Sequence, residues 1–112
     1  MSEYFFNKLL SRGTVSASGT GAGCTATTSG SAVNVTFGAA GIQCSGDAAA
    51  LVTIESPAAT VLWRKRFAGA FTMSEGFPLD FVLGATGQTL SVKVSASTSN
   101  SEANLQYYSY TG

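Results

Sequence analysis

From residue 33 onward the chain alternates apolar and polar side chains at every second position, and turn residues break the alternation at short intervals. Successive side chains of an extended backbone point to opposite faces, so this pattern can be satisfied by half-buried strands and by little else. Val33, Val35 and Phe37 share one face before a Gly38–Gly41 turn region, and Ala50, Val52 and Ile54 oppose Leu51, Thr53 and Glu55 up to Ser56-Pro57. Val61, Trp63 and Phe67 alternate with Leu62, Arg64 and Arg66; Phe71 and Met73 follow, and Ser74-Glu75-Gly76 turns the chain. Phe77, Leu79, Phe81 and Leu83 read as a further inward face, then Leu90, Val92, Val94 and Ala96, with a polar stretch from Ser97 to Asn104 ending that strand and Leu105–Tyr110 forming the last one. The expected fold is all-β, an antiparallel β-sandwich or jelly roll of seven or eight short strands.

Composition narrows what such a sandwich can do. The 112 residues include six Lys+Arg, six Asp+Glu and no histidine. Charged residues make up 11%, under half of the roughly 25% usual for soluble domains. Few groups are left that could move protons, bind metal or grip phosphate, which argues against an enzyme. With zero net charge there is little self-repulsion, so association with a protein partner, including further copies of itself, is expected. Neither sign of charge dominates, and no footprint for nucleic acid or an anionic membrane surface emerges.

The length suits one domain, read as a sandwich over residues 13–112 preceded by an N-terminal arm over residues 1–12. In the arm, Phe5 with Leu9 and Phe6 with Leu10 are i,i+4 pairs that suit a helical turn. From Gly13 to Ser31 the chain is Gly, Ala, Ser and Thr with Val15 and Cys24 as the larger apolar groups, which reads as a loop, a linker or thin edge strands such as Cys24–Thr28. The first residues lack the basic start and long apolar stretch of a secretory signal, and no run approaches the ~20 residues of a membrane span, so cytosolic synthesis without processing is expected.

Candidate chemistry is sparse. Cys24 and Cys44 are the two cysteines; a bridge between them would close a loop worth roughly 3 kcal/mol, whereas cytosolic thiols stay reduced, and the spacing leaves both states open. Two cysteines without histidine fall short of a zinc site, and the six carboxylates show neither a calcium cluster nor a hydrolase pair. No catalytic residue, metal or cofactor is expected. Arg64, Lys65 and Arg66 form the basic cluster; strand alternation splits it, and it reads as an exposed strand protected from edge pairing or paired across a subunit contact. Tyr107, Tyr108 and Tyr110 fall on both faces of the last strand, so at least one is expected at a surface.

The strands "AVNVTF", "AALVTIES", "TVLWRKRFAGAF", "EGFPLDFVLGATGQTLSVKVSAS" and "ANLQYYSY", spanning about Val33 to Tyr110, resemble in layout the small jelly-roll structural proteins of tailed bacteriophages, the capsid decoration or cement type. The resemblance implies a non-enzymatic, homotrimeric protein on the outside of a phage head, made in the host bacterial cytoplasm, with the major capsid protein and its own copies as partners. Under it, Tyr4, Phe5, Phe6 and Leu9 are the expected attachment residues, and Leu51, Leu62 and Val82 the expected subunit contacts, because the alternation turns them outward. The alternative is a carbohydrate- or receptor-binding sandwich domain of a phage fibre or tail, presenting Trp63 and Tyr107 on an open face to a glycan. A bacterial surface or pilus-like subunit is a third reading, disfavoured by the missing export signal.

Overall fold

In a computed structural model, residues 9–28 and 33–111 are described. Six strands follow one another: β1 (Leu9–Thr27), β2 (Val35–Gly46), β3 (Ala50–Glu55), β4 (Val61–Phe67), β5 (Phe71–Gly76) and β6 (Ser91–Thr111). No helix occurs among the described residues.

The architecture follows from the two long strands. β1 runs antiparallel along one side of β6, from Leu9 opposite Thr111 to Thr27 opposite Ser91. The other side of β6 is shared: β3 pairs with Ser91–Ser95 and β2 with Ser101–Thr111. Adding β4 beyond β3 and β5 beyond β2 makes two four-stranded antiparallel sheets that share the β1/β6 ribbon. Sheet I contains β4, β3 and the Ser91 end of the ribbon; sheet II contains β5, β2 and its Thr111 end. A straight 21-residue strand would span about 66 Å, but the molecule is 47 Å in its longest dimension. The ribbon must bend, and the register shifts at Gly19, Gly21 and Gly23 mark where it does. Gly21, at φ 115°, adopts a backbone conformation that side-chain-bearing residues rarely take.

Both sheets contribute to one core. Val52, Ile54, Val92 and Val94 of sheet I meet Ile42, Cys44, Ala103 and Leu105 of sheet II. The all-β sandwich expected from the alternation is therefore the fold, with six strands giving eight strand passages because two cross from sheet to sheet.

Five local expectations are corrected. Gly38–Gly41 and Ser74–Gly76, read as turns, are strand within β2 and β5, their backbones paired with β6 and with each other. Residues Leu9–Thr27, read as the end of an arm followed by a loop, a linker or thin edge strands such as Cys24–Thr28, are one continuous strand. Small side chains can bury little, but the β6 backbone offers β1 partners along its length, and that pairing overrides weak local propensity. The polar stretch from Ser97 to Asn104 does not end a strand; β6 runs through it. Segment 77–83 is not regular strand. It follows β2 through separate hydrogen bonds, Phe77 N–H to the Ala40 carbonyl (2.9 Å), Ala39 N–H to Val82 (2.9 Å) and Gly84 N–H to Phe37 (2.7 Å), and between the first two a Pro78–Phe81 turn bulges outward.

Candidate interaction surfaces

That turn inverts the phase read from the sequence. Val82 joins the core at 3% exposed, so it is not a subunit contact, while Leu79, Phe81 and Leu83 stand 50%, 66% and 40% exposed. Pro78 is the physical reason: it cannot donate to a ladder, and the turn it opens adds residues that shift the alternation.

The turn is held in place from below. Asp80, in the left-handed region at φ 64°, donates its N–H to the Tyr108 hydroxyl. Its Oδ1 accepts from Tyr108 Oη (3.3 Å) and Tyr110 Oη (3.0 Å). Burial above all pushes the Tyr108 phenol above its ordinary pKa, against the lowering effect of the Asp80 N–H bond and with the Asp80 carboxylate adding to it, so it stays neutral and able to donate. Phe77 links the turn to sheet I: its ring lies 5.5 Å from Trp63 at 75° and 6.3 Å from Phe81 at 15°. Further along, Phe67 stacks on Phe71 at 4.2 Å and 8°, with Lys65 Nζ 5.7 Å from the Phe67 ring. These aromatics line the side between the edge strands β4 and β5, with Phe81 the most exposed of the large apolar side chains beside it.

A second surface crosses sheet II. A groove of about 730 Å3 is lined on its exposed side by Ser16, Ser18, Gln43, Thr72, Ser74 and Glu102. Register explains the convergence: Asn104 lies between Ser16 of β1 and Gln43 of β2, Gln43 opposite Ser74 of β5, and Glu102 between Ser18 and Ser45. The Asn104 Oδ1 and Ser101 Oγ atoms are buried without a hydrogen-bond partner.

The outer face of sheet I is basic. Arg66 lies opposite Leu51, Arg64 opposite Thr53, and Lys93 on the other side of Thr53. Lys65 falls on the opposite phase, as the alternation predicted. Half-buried Leu51 lies on this face, and Leu62, 38% exposed, is the extra residue at the register shift between Ile54 and Glu55. Glu55 closes the hairpin behind them: its carboxylate accepts the Ala59 N–H (2.9 Å) and the Thr53 hydroxyl (2.9 Å). The Ala59 bond is the largest influence holding its pKa below the ordinary value, with Thr53 and Lys93 adding to it against desolvation.

Of the expected attachment residues, Tyr4, Phe5 and Phe6 lie outside the described residues, and Leu9 is in β1, its backbone paired with Thr111. Cys24 and Cys44 are free thiols from the two sheets against one core, Cys24 half-buried and Cys44 buried. Burial above all raises the Cys44 thiol to about 11, so little thiolate forms there at neutral pH. Trp63 and Tyr107, the expected glycan platform, are both partly buried against the core: Trp63 packs on Phe77, and Tyr107 contacts Phe37 at 5.6 Å and 79°. No group of three metal-ligating side chains occurs among the described residues. No helix there is long and apolar enough to cross a membrane.

Comparison with protein-family models returns no match, and no curated protein matches. Among solved structures, a chain from Bacillus endospore appendages, described as a novel family of disulfide-linked pili, is similar at a TM-score of 0.50 and 10% identity, covering 94% of this chain and 90% of that one. The likeness is one of fold.

Proposed function

We propose that this chain is a non-enzymatic structural subunit that works by docking on other proteins in a larger assembly. The carrying observation is the Pro78–Phe81 turn, with Leu79 and Phe81 held in solvent by the Asp80 hydrogen bonds to Tyr108 and Tyr110 and exposed Leu83 just beyond it, bridged to Gly38. A chain so poor in charge gains nothing in solubility from a rigid apolar projection, whereas a docking site does. In its finer form the reading is a decoration protein on the outside of a phage head, made in the host cytoplasm, with this turn and the Tyr4-Phe5-Phe6 arm as attachment elements and Leu51 and Leu62 as subunit contacts. A second reading, a subunit of a surface appendage, draws on the sandwich shared along most of its length with the endospore appendage chain.

Pelleting with empty phage heads assembled without this chain tests the finer form, with microscopy of the protein alone as the companion measurement. Binding lost in a folded L79S/F81S variant is the expected result. Filaments formed by the protein alone, with no head binding, would replace decoration by the appendage reading. If neither heads nor other copies are bound, the structural reading falls.

A further inference from the structure

The neutrality of the chain hides a division of charge between its two sheets. Sheet I carries Arg64, Lys65, Arg66 and Lys93 against Glu55, four cations to one carboxylate, a net +3. Sheet II and its connections carry Arg12 against Asp47, Glu75, Asp80 and Glu102, one cation to four carboxylates, a net −3. Arg64 and Arg66 are exposed and form no ion pair among the described residues, and neither does Glu102 on the far side. Around Glu102 the exposed lining of the groove offers the hydroxyls of Ser16, Ser18, Thr72 and Ser74 and the amide of Gln43. That combination suits a group bearing several N–H donors and positive charge, such as a guanidinium.

We propose that the outer face of sheet I docks into the sheet II groove of a second copy of this chain, with Arg64 and Arg66 meeting Glu102. Complementary charge selects this partner, and half-buried Leu51 with exposed Leu62 flanks the two arginines to supply apolar contact. The same charges disfavour symmetric pairing. Sheet I on sheet I would bring Arg64, Arg66 and Lys93 against their own copies, so the contact is head-to-tail and each copy keeps one donor face and one acceptor face. Such a contact repeats, closing into a ring if the rotation permits and extending as a filament if it does not. The proposal rests on the structural-subunit reading and uses surfaces separate from the Leu79–Phe81 turn.

Charge exchange between the two faces tests it. Mass is measured by light scattering across a concentration series for the wild type, R64E/R66E, E102R and an equimolar mixture of the variants, with circular dichroism confirming the fold of each. The wild type should associate at low ionic strength and dissociate as salt rises. Each variant alone should associate at least about tenfold more weakly, and the mixture should regain mass because an acidic sheet I then meets a basic groove. Should R64E/R66E fail to fold, K93E on the same face replaces it. Variants that keep wild-type mass, or a mixture that stays apart, would overturn the proposal. A wild type monomeric at every concentration would also overturn it, and binding of that monomer to phage heads would leave the structural reading standing.

Discussion

Gly38 and Tyr108 occupy one space. A Cβ on Gly38 would run into the Tyr108 ring, and that ring cannot step aside without releasing Asp80 from its hydroxyl. Gly38 also anchors the far end of the turn segment, as a β-bridge links it to Leu83. Overpacking a filled site costs about 1–3 kcal/mol, so G38A should lose stability by that amount in urea denaturation. Because the strain falls on the Tyr108–Asp80 contact, the turn should also become more open to proteolysis near Leu79 and Phe81. Unchanged stability with unchanged cleavage would mean that the ring has room elsewhere and that the tyrosine contacts do not hold the turn.

At the scale of the element, the β3–β4 hairpin stores a pH dependence in Glu55. Its folded pKa lies below the ordinary carboxylate value, so the folded state binds a proton less readily than the unfolded chain. The resulting stabilisation is complete above the unfolded pKa and is lost as pH falls through the folded one. Denaturation midpoints of the wild type should therefore drop as pH descends from the ordinary carboxylate range, and E55Q should lack that part of the drop while starting from a lower midpoint at neutral pH. Parallel pH profiles for the two proteins would show that the Ala59 and Thr53 bonds are no stronger to the carboxylate than to an amide. β3 and β4 were legible in the sequence because Val52, Ile54, Trp63 and Phe67 alternate where they pack. Of β1 only the end near Cys24–Thr28 was, as one of several readings, since residues such as Ser16, Ser18 and Gly19 carry no packing signal and take their strand form from β6. The phase of Phe77–Leu83 was misread because a proline turn and a correct alternation look alike until β2 is in place beside them. The outward phase of Leu51 and Leu62 was legible from the alternation, Leu51 half-buried and Leu62 exposed. The charge division was not: Glu102 and Lys93 lie on one strand, and only the bend between them assigns them to different sheets.

For the whole molecule, the shared ribbon makes the two sheets one cooperative unit. β1 and β6 pass through both, so neither sheet keeps all four of its strands if the other opens. Leu105 is fully buried in sheet II against the common core, and Trp63 reports from β4 at the far edge of sheet I. Truncating a buried leucine costs about 2–5 kcal/mol, so L105A should lower the unfolding midpoint by tyrosine circular dichroism and shift the tryptophan fluorescence transition equally. Two independent layers would behave otherwise: the tyrosine signal would move while Trp63 kept its wild-type transition. A split of that kind would also weaken the case for a rigid docking unit, because a donor face on sheet I and an acceptor groove on sheet II can propagate one assembly only while the ribbon holds them in a fixed relation.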